Sequence, residues 1–266
     1  MKTTVCSMID ISVITITKND LVGLELTIKS INQSILGEIK KFNVEHLIVV
    51  NNQDLPTIRH LEEMAYRPVV GNSRKIIMQS GKGIGNAFNV GLQAASGKVV
   101  TFLNSGDIYT QSFKLYSAYQ SFLSDGWDWA YGGVISVSRS KILLGRRRAK
   151  EINLSAFLFG NPINHQSAFY SSDLIRDVGS YSESIGALDF EYNIRCMLKS
   201  IVFPLPFYVC EFDVTGLSST AVFSSEKSHN QVRYKYLRHS RLFYFWFLIN
   251  YVKAALRYLY IPLKRL

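Results

Sequence analysis

Asp107 closes the stretch VVTFLNSGD, in which the apolar run Val99 to Leu103 gives way to Asn104, Ser105 and Gly106. An apolar run that does not alternate with polar residues reads as a strand buried on both faces. The acid therefore sits at a strand's C-terminal end, the edge at which open α/β sheets bind ligands. The same residues also suit an ordinary turn, with Asp107 or Thr110 capping the next helix. A second acid, Asp189 in GALDFEYNIRC, falls at a helix start, where the helix dipole favours its ionised form. Glu191 can pair with Arg195 at i, i+4 on the outer face, which leaves Asp189 available for proton transfer, unless it only caps its helix.

Other polar clusters are less specific. GKGIG, Gly81 to Gly85, follows a strand but lacks the full dinucleotide spacing and an acid about 20 residues on, and it is not a phosphate-binding P-loop. The GRRRAK run holds Arg146, Arg147, Arg148 and Lys150, either as a solvated loop or as an attractor of phosphate groups. Three cysteines, Cys6, Cys196 and Cys210, without CxxC spacing argue for a reducing compartment and against a disulfide framework or a zinc site.

The elements that must position these residues alternate. Ile11–Thr17 reads as a strand, and Leu21, Leu24, Ile28 and Ile31 mark a helix. Glu45–Val50 is a second strand, and Pro56 starts a helix reaching about Tyr66. Arg74–Gln79, Gly83–Ala95 and Lys98–Leu103 continue as strand, helix and strand. This βαβα repetition requires a parallel sheet. Beyond Trp127 the reading gives strands near Trp129–Val137 and Gln166–Tyr170 and a helix over Asp189–Lys199. With 47% hydrophobic residues the chain can bury a large core. One α/β domain over residues 1–222 is expected, followed by a basic, aromatic helical tail over 223–266. The tail's apolar centre, Leu242–Val252, is too short to span a bilayer and is flanked by Arg241, Lys253, Arg257, Lys264 and Arg265. It suits a membrane interface, or packing on the domain or a second copy. The net charge of +10 implies an anionic partner. Nucleic acid is disfavoured, because the cations gather in one loop and the tail without a recognised binding motif.

Taken in order, ISVITITKND, EHLIVVNNQD, GKGIGNAFNVGLQAASGKVVTFLNSGD, NHQSAFY and LDFEYNIR resemble a family 2 glycosyltransferase of the GT-A fold. With CEFDVTGLSST, the chain is similar to bacterial transferases of the colanic-acid and O-antigen type. The resemblance implies a Rossmann-like, mostly parallel sheet flanked by helices, with the amphipathic tail behind it. It also implies an inverting enzyme that moves a sugar from a nucleotide-sugar donor to a polyprenyl-diphosphate-linked saccharide, on the cytoplasmic face of the membrane. Thr17, Asn19, Asn51 and Asn52 would hold base and ribose, and Lys82 and Asn104 would approach the diphosphate. Asp107 matches the family's last metal-binding aspartate, for Mn2+ or Mg2+, and Asp189 its general base. His165, Gln166 and Arg147 fall on the acceptor side. Relatives often carry acids at the positions of Asn51, Gly81, Asn104 and Gly106. Their replacement leaves a second reading, a catalytically silent GT-A-like binding or assembly subunit.

Overall fold

The computed structural model describes residues 8–38, 41–64, 72–138, 142–184, 186–213, 222–240 and 243–260. The chain begins with β1 (Ile11–Thr17), α1 (Leu21–Ile35), β2 (Val44–Val50), α2 (Leu55–Met64), β3 (Asn72–Met78), α3 (Gly83–Ala94) and β4 (Val99–Phe102). All seven residues of β2 are buried, as a strand covered on both faces requires. Its two polar members are neutralised in place. Glu45 accepts hydrogen bonds from the Ser12 hydroxyl at 2.7 Å and the Ser96 amide at 2.6 Å, while His46 shares one with the Thr15 hydroxyl at 2.9 Å. Gly91 lets α3 lie directly on β1, since a Cβ there would come within 2.5 Å of Ile14.

The second half adds β5 (Ile108–Tyr109), α4 (Leu115–Asp125), β6 (Trp129–Val137), β7 (Leu143–Arg147), β8 (Ala168–Ser171), α5 (Ser172–Val178), α6 (Leu188–Met197) and β9 (Val202–Asp213). Two 3-10 turns, Leu154–Leu158 and His165–Ser167, precede β8. The sheet runs β3-β2-β1-β4-β8-β6-β9-β5, with β7 on the edge beside β6. β3, β2, β1 and β4 are mutually parallel, so the ends of β1, β2 and β4 open on one edge. β8 runs antiparallel to both β4 and β6, which makes the sheet mixed beyond that point.

Three local expectations change. Neither Asp107 nor Thr110 caps a helix, because β5 intervenes and the N-cap of α4 is Lys114. The strand expected from Gln166 begins at Ala168, because the Asn164 side chain accepts the Gln166 amide hydrogen and turns the chain first. The twelve-residue β9 escaped the sequence reading because Pro204 and Pro206 argue against a strand. It tolerates them where its register with β6 shifts around Gly133.

The chain closes with α7 (Val222–Leu237) and α8 (Phe243–Tyr260). The tail does not simply trail from the domain. Val232, Leu237 and Phe243 join the main core cluster, and Arg233, 2% exposed, donates to the Phe157 carbonyl at 3.1 Å. On α8, Tyr244, Phe245, Leu248, Val252 and Leu256 are each more than half exposed. No helix among the described residues is long and apolar enough to cross a membrane.

Candidate active site at the strand ends

The first two loops are locked together by acids that the motif reading passed over. Asp54, buried behind β2, accepts the Asn19 amide hydrogen at 2.6 Å and that of Thr57 in the first turn of α2. Asn19 takes a left-handed conformation, φ 54°, which asparagine tolerates better than most residues. Asp20 caps α1 by accepting from the Gly23 amide at 3.1 Å, and it also accepts the Ser105 hydroxyl at 2.7 Å. An acid just before an apolar helical face is an N-cap signal that could have revealed Asp20.

Asn51 has both halves of its amide engaged. Its oxygen accepts the Gln53 amide hydrogen at 3.1 Å, and its NH2 donates to Gln79, which in turn donates to the Gly83 carbonyl at 2.7 Å. Gln79, also unflagged by the sequence, thus ties β2 to the start of α3. The Thr17 hydroxyl is buried with no hydrogen-bond partner. Asn52 is exposed, as is Lys82, which sits at the N-terminal end of α3 beside Gly83, φ 87°.

The turn from Asn104 to Asp107 is held from outside. The Thr27 hydroxyl on α1 lies 2.7 Å from the Asp107 carbonyl and accepts the Gly106 amide hydrogen at 3.1 Å. Gly106 has φ 89°, open to glycine at no steric cost. Asp107 is nearly buried, and after burial itself its charge is the next influence that pushes the Cys210 thiol up. The Asn104 side-chain oxygen is buried without a partner. Among the described residues no three His, Cys, Asp or Glu side chains gather into a metal cage. One carboxylate and one unpartnered amide oxygen do fit a hard divalent cation that completes its shell with phosphate oxygens and water.

Asp189 is the second residue of α6, whose N-cap, Ala187, offers no side-chain bond, so helix capping is not its task. Its Oδ2 accepts from the Asn161 amide group at 2.9 Å. Asn161 is held by Asn193 at 3.3 Å, and Asn193 by the Tyr170 hydroxyl at 3.1 Å. Arg147 reaches the Asn161 carbonyl at 3.5 Å, so Asn161 touches both Arg147 and Asp189. Glu191 departs from the outer-face reading. It is 2% exposed, accepting from Arg195 at 2.9 Å and from the Tyr236 hydroxyl of α7 at 2.5 Å. A helix faces solvent only where nothing covers it, and α7 covers this face.

His165 packs among aromatic rings, its ring centroid 4.4 Å from Phe102 and 4.8 Å from Phe88, with both nitrogens buried and unpartnered. Gln166 is half-buried beside it. Burial pushes His165 down to about 4, against a smaller opposing pull from Asp189, and pushes His46 down to about 3. Both folded values lie below the ordinary 6.5, so as pH falls the unfolded chain binds protons that the folded chain refuses. The stability this confers is complete above pH 6.5 and drains toward pH 4 for His165 and pH 3 for His46, at ~1.4 kcal/mol per unit for each. Burial raises Asp10 and Glu45, but their hydrogen bonds together hold them below 3.8 and 4.5, so their contribution is lost only as pH falls through those values, at the lower end of the histidine window. The urea midpoint should therefore be clearly lower at pH 5 than at pH 7; equal midpoints would mean the imidazoles are protonated in the folded protein.

The model of glycosyl transferase family 2 matches residues 12–175. Two uncharacterized glycosyltransferases of Mycobacterium tuberculosis are 26% identical over 237 residues, 85% of this chain and 85% of theirs. Among solved structures, Staphylococcus aureus TarS 1-349 in complex with UDP-GlcNAc superposes with a TM-score of 0.66 at 15% identity, covering 92% of this chain and 73% of that one. The mannosyltransferase PcManGT of Pyrobaculum calidifontis, in complex with GDP-Man and Mn2+, gives 0.60 at 15%, covering 89% and 66%. At such identities the likeness speaks for the fold, which is GT-A. With more than half its length matched by the family model, and acids standing at the ends of β4 and the start of α6, the chain belongs to glycosyl transferase family 2.

Proposed function

We propose that this glycosyltransferase is an inverting enzyme that moves a sugar from a nucleotide-sugar donor to a polyprenyl-diphosphate-linked saccharide, in the synthesis of a surface polysaccharide or O-antigen unit. The observation that carries the reading is Asp189, aimed by Asn161 and free of any capping bond at the N-terminus of α6. Its second oxygen takes the proton of the acceptor hydroxyl as that hydroxyl attacks the anomeric carbon. Thr17, Asn19 and Asn52 hold the nucleoside, while Asn51, its amide occupied, shapes the pocket through Gln79. Lys82 meets the diphosphate at the end of α3, where the dipole also favours an anion. Asp107 and the Asn104 side-chain oxygen would hold Mn2+ or Mg2+, which neutralises charge developing on the leaving diphosphate. That two structural neighbours are complexes with UDP-GlcNAc and with GDP-Man and Mn2+ supports this class of donor and metal.

On the acceptor side, Arg147 offers a cation beside Asp189, with Gln166 at the cleft and His165 as its neutral floor. The exposed apolar face of α8 rests on an anionic membrane surface at the cytoplasmic side, and residues 223–266 form an attaching tail whose first helix, α7, is packed into the catalytic domain over 1–222. The silent-subunit reading draws on the occupied amide of Asn51 and the single acid of the β4 turn. Turnover separates the two. A panel of nucleotide sugars with divalent cation and a lipid-linked acceptor should yield transfer from at least one donor. Asp107→Asn, nearly equal in volume, should lower it on the order of 10²-fold and flatten its dependence on cation concentration. Wild-type turnover in that variant, with the same Mn2+ response, would remove Asp107 from the site.

A further inference from the structure

Apart from Arg147, strand β7 carries a surface that the site does not use. Ile142, Leu143 and Leu144 are 63%, 52% and 55% exposed, and Arg146, Arg147 and Arg148 follow after Gly145, all exposed. Among the described residues β7 pairs with β6 alone, which leaves its outer edge without a strand partner there. Edge strands are ordinarily blunted by charge or proline, and three adjacent exposed aliphatic residues do the opposite. Such a surface needs an occupant.

Its position indicates which one. Arg147 bonds the Asn161 carbonyl; two residues back along the chain, Phe159 packs on Trp246 of α8 with ring centroids 3.8 Å apart. The aliphatic residues lie roughly 10–17 Å along the chain from Arg147. The apolar strand and the apolar helix thus stand at the two ends of one line of contacts, with Asn161 and its partner Asp189 between them. Aliphatic side chains beside arginines match a bilayer interface, where the former enter the acyl boundary and the latter meet anionic headgroups.

We propose that β7 is a second bilayer contact, seated with α8 on an anionic lipid surface so that the membrane meets the protein on both sides of Asp189. The proposal rests on the membrane reading of α8. Two contacts also explain how an enzyme with no spanning helix among its described residues would hold its active site in register with a lipid-borne acceptor, since one helix alone leaves the domain free to swing.

The test is flotation of the full chain with phosphatidylethanolamine/phosphatidylglycerol vesicles and, in parallel, with phosphatidylcholine vesicles. The combined Ile142→Ser, Leu143→Ser and Leu144→Ser variant should partition at least tenfold more weakly. Arg146→Gln with Arg148→Gln should lose about fivefold per arginine at low salt and little at high salt. A Tyr244→Ser, Leu248→Ser, Leu256→Ser variant tests α8 separately. If the α8 variant loses binding and the β7 variants do not, this proposal falls and the reading of α8 stands; if the unaltered protein fails to float, both fall. Loss of a dimer in light scattering without vesicles, at unchanged flotation, would give the strand to a second copy and overturn the proposal. Should the serine variant misfold, Leu144→Cys in a Cys6→Ser background, labelled with NBD, should emit at shorter wavelength on anionic vesicles. No spectral change there overturns it.

Discussion

Asp189→Asn is expected to reduce the rate of sugar transfer by about 10²–10⁴-fold at saturating donor, the usual cost of losing a positioned base, while donor binding stays intact. Asparagine keeps the volume and can still meet Asn161, so the structure of α6 should not change. What is lost is the oxygen's capacity to accept a proton. Glu191→Gln, two residues on, is the matched control with a different outcome. Glu191 is buried between Arg195 and Tyr236, so the neutral variant should lower stability by about 1–3 kcal/mol through weakened charge-assisted bonds. Its turnover below the new melting temperature should remain near wild type. Transfer rates for both variants, with donor affinity measured apart, decide the roles; an active Asp189→Asn beside a folded but inactive Glu191→Gln would exchange them.

Arg233→Ala should destabilise the fold by about 3–5 kcal/mol, the cost of removing one partner from a buried charged network. The guanidinium donates to Glu226 and Asn230 at 2.6 Å each and to the Phe157 carbonyl at 3.1 Å, and it lies 5.1 Å from the centre of the Phe190 ring. Arg233→Lys should not restore stability, because an ammonium on a flexible stem cannot span three acceptors in a fixed fork. Phe190 is the neighbour of Asp189, so loosening this contact loosens the helix that carries the proposed base. For the same reason, cutting the chain after Lys235 would remove Tyr236 from Glu191 as well as α8, and a loss of membrane binding in that truncation would not isolate the tail. Denaturant unfolding measures the effect directly: an unchanged midpoint for Arg233→Ala would show that α7 is not anchored through this residue.

The alternating first half was legible because local chemistry and global fold agree there. Unbroken apolar runs such as Leu47–Val50 and Val99–Leu103 can only be strands covered on both faces, and a βαβ chain has few ways to cover them. From that order alone Asp107 and Asp189 fall at element ends, the places where an α/β chain can present polar groups outside its core. The tertiary structure decided the rest. The Glu191–Arg195 pair follows from helical spacing, but Tyr236 meets it only because α7 returns to cover α6, a contact 45 residues apart along the chain that no periodicity encodes. Asp54 and Gln79 matter because the ends of β1, β2 and β3 lie side by side, and the spacing within any one segment does not reveal it. β9 was hidden by two prolines whose missing donors cost little where the register shifts. Residue types and their order set the chemistry available to this chain, whereas burial set which of those groups are free to act, because burial depends on what the distant parts of the chain place on top of them.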